Sequence, residues 1–212
     1  MDKIEKTRSD AGDGSAASGS AASGSACAAP RMRADARRSR AKLLEAATAA
    51  FAENGADAPL EDIARRAGVG IGTLYRHFPT RVDLQAAVYQ SQVETVCEAA
   101  EGYSTSNSPE QALAEWLRAM AAYLATKRGL SRALIDTLGR DSQLLTSCWG
   151  AMNTATERLL TAAQEAGTLR DDIKATDVLR LVHGVVIATE QAPQDTERLL
   201  GLMLDGFRPP AH

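Results

Sequence analysis

Between Pro59 and Pro79 the chain carries two short helical patterns split by a glycine turn, and this segment constrains the fold more than any other. Pro59-Leu60-Glu61-Asp62-Ile63-Ala64-Arg65-Arg66-Ala67 puts proline at a helix's first position and two acids in its first turn, where they favour the macrodipole. Gly68-Val69-Gly70 then interrupts the pattern, and Ile71, Leu74 and Phe78 resume helical spacing until Pro79 stops it. Two helices joined by a short turn containing glycine form a helix-turn-helix unit, whose second helix can enter the major groove of DNA.

The flanking sequence continues in helices. Leu43, Leu44, Ala47, Ala50 and Phe51 recur at three- and four-residue steps between Arg37 and Asn54, with Gly55 as a C-cap, and order is expected from about Asp35. Thr80 and Asp83 read as a capping box opening a long fourth helix, lined by Val82, Ala86, Tyr89, Val93, Val96 and Ala100. Ser108-Pro109-Glu110-Gln111 opens a fifth helix, expected to reach about Thr126. Further helices are expected near 130–139, 142–166, 175–191 and 195–206, punctuated by Gly129, Gly139 and Gly167. Few aromatics and no alternating β-branched stretches complete the case for an all-α protein of three short helices followed by about six longer ones. Residues 14–26, GSAASGSAASGSA, hold no side chain large enough to anchor to a core, so residues 1–30 read as a flexible tail.

The net charge of −3 conceals an asymmetry: residues 1–30 carry −1, residues 31–90 carry +3 and the remainder carries −5. A basic segment joined to a larger acidic one suggests a polyanion-binding module attached to something else. Arg31, Arg33, Arg37, Arg38, Arg40 and Lys42 are opposed within their stretch only by Asp35.

The local sequence sharpens this. Ile63-Ala64-Arg65-Arg66-Ala67-Gly68-Val69, followed by Gly72-Thr73-Leu74-Tyr75-Arg76-His77-Phe78-Pro79, closely resembles the DNA-binding domain of the TetR family of transcriptional repressors. The resemblance covers about residues 37–90 and implies a helix-turn-helix domain over 31–82 and an effector-binding and dimerisation domain over 83–212. It further implies that Ile71, Gly72 and Tyr75 read bases, that Thr73, Arg76 and His77 mostly touch phosphates, and that Arg81 is a phosphate-binding cation. Gly70 stands where the family often has serine, which removes a side-chain cap and one phosphate contact. Gly70, at the start of the recognition helix, and Arg37 and Arg38, cations flanking the motif, complete the expected DNA-binding set.

In the second domain Trp116, Met120 and Tyr123 share a helical face, and Cys148, Trp149, Met152 and Thr156 could complete a ligand pocket with them, although such a stripe is also what ordinary core looks like. The acidic balance here favours an apolar or cationic effector. His183 could pack at an interface or face a ligand. Val178, Leu181, Val182, Val185 and Val186 on one late helix, with Leu199, Leu200, Met203 and Phe207 on the last, are the expected homodimer interface that the resemblance implies.

No catalytic signature and no cofactor motif stands in the chain; Gly68–Gly72 lacks GxGxxG spacing and follows a helix. Cys27, Cys97 and Cys148 form no CxxC pair and His77 has no metal-spaced partner, so neither disulfide framework nor metal site is expected. The polar N-terminus lacks a signal peptide's apolar stretch, and no long apolar run suggests a membrane span, so a cytoplasmic protein is expected. The reading is a homodimeric regulator that binds double-stranded DNA, a repressor released from a palindromic operator by a small molecule. The alternatives are a helical ligand-binding or scaffold protein that does not read DNA, and a small enzyme using the C-terminal cavity.

Overall fold

The computed structural model describes residues 28–210. Chain contacts divide the protein between Arg37 and Arg38, and the packing below is that of the second unit. The expected tail lies outside the described residues up to residue 27. The first helix, α1, spans Ala28–Asn54, so helix is present seven residues before Asp35.

Leu43, Ala47, Ala50 and Phe51 are the buried face of α1, and they join a core shared with the two helices that follow. α2 covers Leu60–Arg66 and α3 covers Ile71–His77. Pro59 caps α2 from outside, one position before its expected place. Gly68 adopts φ +68°, a left-handed conformation open to glycine at little cost. Its turn lets the Val69 amide donate to the Ala64 carbonyl at 3.0 Å, which closes α2 before α3 begins. Ile63 and Ala64 of α2 and Leu74 of α3 then face inward together, with Phe78 just beyond.

α4 runs Arg81–Ser106 and α5 runs Pro109–Leu138. Both expected capping boxes form: the Asp83 amide donates to the Thr80 hydroxyl at 3.1 Å while Asp83 accepts from the Thr80 amide at 2.9 Å, and Ser108 and Gln111 repeat the arrangement. α6 spans Gln143–Glu165, α7 Ala175–Ala188 and, after a short 3-10 turn at Pro193–Asp195, α8 Thr196–Gly206. α4, α5 and α6 pack mutually, α7 lies on α5 and α6, and α8 lies on α5 and α7. The described residues are all-α, as expected, but the expected break near Thr126 does not occur.

α5 continues through Gly129 because its buried face continues. An interior glycine costs about 1 kcal/mol relative to alanine, whereas Leu130 and Leu134 are buried beyond it and each contributes about 1.5–3 kcal/mol by burial. Burial wins, and the helix ends only at Gly139, whose φ is +81°. A Cβ added at Gly129 would meet nothing within 4 Å. Gly129→Ala is therefore expected to stabilise the protein by about 0.4–1 kcal/mol in reversible thermal or denaturant unfolding; destabilisation would show that the backbone is not a regular helix there.

Candidate DNA interface and effector cavity

The reading head is built from a short helix with one face committed to the core. Leu74 is fully buried and Phe78 nearly so, which turns Ile71, Gly72, Tyr75 and Arg76 outward. Tyr75 is 46% exposed, a large aromatic surface turned to solvent. Arg76 lies back along the helix, its Nε donating to the Gly72 carbonyl and its Nη2 to the Thr73 hydroxyl, each at 3.1 Å. Thr73 and His77 are half-buried, with the His77 ring tilted against Phe78 at 6.3 Å between centroids. Gly70 is exposed and caps α3 through its backbone: its carbonyl accepts from the Thr73 amide at 2.8 Å, and no side chain caps the helix.

The cations around this head differ in how they are held. Arg65 pairs with Asp62 and Arg66 with Glu53, both at 2.7 Å, so α2 presents arginines already matched by acids. Arg40 stands over the Phe78 ring at 5.3 Å, a cation–π contact that braces α1 against the end of α3. Arg38 is exposed on α1; Arg37, which belongs to the other unit, is exposed as well.

Arg81, expected to touch phosphate, is also held by the protein's own backbone. It is half-buried, and its Nη1 donates to the Ala58 carbonyl at 2.6 Å and the Ala56 carbonyl at 3.4 Å. Gln85, one turn later and buried, donates its Nε2 to the same Ala56 carbonyl at 2.8 Å. The two side chains tie α4 to the loop between α1 and α2. Gln85 was invisible to sequence reasoning because a polar residue near a helix start looks like surface.

In the C-terminal half, Tyr123, Trp149 and Met152 line a cavity of about 380 Å³, in company with Tyr89, Leu124, Lys127, Ser131, Ile135, Arg140, Leu145 and His183. Trp149 is 39% exposed. The Tyr123 hydroxyl is buried beside Tyr89, the two rings 6.4 Å apart between centroids. Burial and then the neighbouring Tyr89 push the Tyr123 phenol above its ordinary pKa, and burial pulls the Lys127 ammonium below its own.

Trp116, Met120 and Thr156 do not line this cavity; all three are fully buried. The Trp116 indole Nε1 donates to the Thr156 hydroxyl at 2.9 Å, and that hydroxyl donates to the Met152 carbonyl at 2.8 Å. A ring so satisfied is core, which corrects its expected role. Cys148 borders a different cleft, with Val93, Glu94 and Leu144, and burial raises its thiol pKa to about 11.

The expected dimer set divides in two. Val178, Val182, Val186, Leu200 and Phe207 are buried within the single chain and serve its own core. Val185, Leu199 and Met203 are half-buried and Leu181 is exposed. Sequence periodicity joined both faces of α7 because the helix is apolar on both sides. The exposed large apolar residues on this side are Leu181 at 47%, Ile187 at 55% and Leu202 at 58%, of which Ile187 and Leu202 were not expected.

These placements separate the two tryptophans. Trp116→Ala is expected to destabilise the fold by about 3–5 kcal/mol because it removes a packed ring and strands Thr156. Trp149→Ala is expected to cost clearly less. Denaturant unfolding of both variants checks the order, and equal losses would return Trp149 to the core.

Comparison with known proteins agrees with this architecture. A model of the bacterial regulatory proteins of the tetR family matches residues 43–88, and a model of the SbtR-like transcriptional regulator C-terminal domain matches residues 108–209. A TetR transcriptional regulator of Streptomyces coelicolor is 39% identical, with a TM-score of 0.70 over 81% of this chain and 99% of that one. A TetR regulatory protein of Mycobacterium vanbaalenii is 34% identical, with a TM-score of 0.64 over 84% of this chain and 99% of its own.

Proposed function

The chain belongs to the TetR family of DNA-binding transcriptional regulators, and from that premise we propose that it is a cytoplasmic homodimeric repressor, released from a palindromic operator when a small molecule enters the cavity beneath Trp149. Residues 31–82 form the reading domain and 83–212 the effector and dimerisation domain in this proposal. The observation that carries it is the outward cluster Ile71, Gly72, Tyr75 and Arg76 on a helix whose other face is locked by Leu74 and Phe78.

Ile71 offers a methyl surface suited to a thymine methyl, and Gly72 lets the backbone approach a base edge or phosphate closely. Tyr75 adds a hydroxyl and a ring. Arg76, Thr73, His77, Arg37 and Arg38 supply phosphate contacts. For Arg81 the proposal changes: its hydrogen bonds to Ala56 and Ala58 support a bracing role first, with at most its remaining guanidinium edge turned to phosphate. A two-fold dimer through Leu181, Val185, Ile187, Leu199 and Leu202 would cover apolar surface left open in one chain and set two recognition helices about one turn of DNA apart. Among the described residues no helix is long and apolar enough to cross a membrane.

The effector acts only through different affinities for the DNA-competent and released arrangements. α4 carries Arg81 and Gln85 at one end and Tyr89 in the cavity wall, so a shift of this helix reaches both places.

Selection of duplexes from a random pool tests the reading. The expected product is an inverted repeat. Arg76→Ala should weaken binding to all sequences and reduce the magnitude of the salt slope by about 1, while Tyr75→Ala should lose more affinity for the selected duplex than for random DNA. Retention of no duplex at low salt, or unchanged binding by both variants, would overturn the assignment.

A further inference from the structure

The cavity beneath Trp149 has a charge that runs against its domain. Residues 91–212 carry a net −5, yet the cavity wall contains Lys127, Arg140 and His183 and not one carboxylate. Neither Lys127 nor Arg140 has an ion-pair partner among the described residues, whereas nearby Arg132 is matched by Asp136 at 3.2 Å. Glu190 borders the adjoining cleft and not this one.

We propose that this cavity binds an amphipathic organic acid, its apolar body against Trp149 and Met152 and its anionic head toward Lys127 and Arg140. The inference deepens the proposed function and rests on it only in taking the cavity as the effector site.

Three arguments select the anion over the apolar or cationic ligand suggested by the domain's composition. Lys127 is half-buried, and loss of water from the cavity on filling would further penalise its charge unless the ligand returned an acceptor. Burial already pulls its ammonium below the ordinary lysine pKa. The Tyr123 hydroxyl stands beside that of Tyr89 on the same wall, so the pair offers hydroxyl hydrogens that an anionic oxygen can take. A cationic ligand would meet basic side chains with no carboxylate to answer it. The apolar share of the wall, Leu124, Ile135, Leu145 and Met152 with the Trp149 ring, requires an organic body rather than an inorganic anion.

Three probes of matched shape test this: 4-phenylbutyrate, 4-phenylbutyramide and 4-phenylbutylamine, titrated against tryptophan emission with Trp149→Phe as the control that assigns the signal. The acid should bind at least about tenfold more tightly than the amide or the amine. Lys127→Gln and Arg140→Gln should each shrink that preference, weakening the acid more than the amide. Tightest binding by the amide or amine at Trp149 would overturn the ligand class and leave the cavity as an effector site. Binding of none of the three at any soluble concentration would overturn the ligand class and the effector reading together. An acid preference that survives both substitutions would also overturn the proposal, since the named cations would then not be its source.

Discussion

The carbonyls of Ala56 and Ala58 are held by Arg81 and Gln85, and the short helices α2 and α3 depend on that tie. α2 and α3 have seven residues each, well below the ~12–15 at which an isolated helix becomes marginal in water. They exist because α1 and α4 supply a core, and because the loop that launches α2 is pinned. A guanidinium donating to two carbonyls satisfies backbone groups that the loop's turn leaves outside any helix. The same helix that pins the loop extends to Ser106, bringing Val88 and Val93 into the core and Tyr89 to the cavity wall.

Behind α4, the larger domain is organised around another long-range polar tie, the Trp116 indole on the Thr156 hydroxyl. It joins α5 to α6 at a depth where an unpaired N–H would be costly. Dense core and cavity share one helix: Trp116 and Met120 fill the inner face of α5, and the cavity opens where Tyr123, Lys127 and Ser131 continue that helix toward Trp149 on α6. The exposed apolar residues of α7 and α8 lie on elements whose opposite faces complete the core, so the two helices serve the fold and remain open to a partner.

Local signals in the sequence were read correctly where local chemistry decides. The capping boxes at Thr80 and Ser108 formed because cap and partner are three residues apart, and the glycine turn at Gly68 followed from its conformational freedom. Gly129 misled because a tertiary effect, burial of Leu130 and Leu134, outweighed helix propensity. Trp116 and Trp149 cannot be told apart by spacing, since each sits on an apolar helical face; burial and the position of Thr156 in space distinguish them. Lys127 and Arg140 were missed because single cations near glycines look solvated in sequence, and their shared cavity appears only when α5 and α6 are packed. Arg81 was read as a phosphate ligand from resemblance, whereas its carbonyl partners lie more than twenty residues away in the chain.

α4 holds α2 and α3 in place through Arg81 and Gln85. Native-state hydrogen exchange on the Arg81→Ala, Gln85→Ala double variant tests it most directly, because exchange resolves local opening from global stability. The account predicts faster exchange at the amides of 56–58 and through α2 and α3, with α5 and α6 amides retaining their protection and DNA affinity falling in parallel. Unchanged protection of the loop and of α2 and α3, together with wild-type DNA binding, would contradict it.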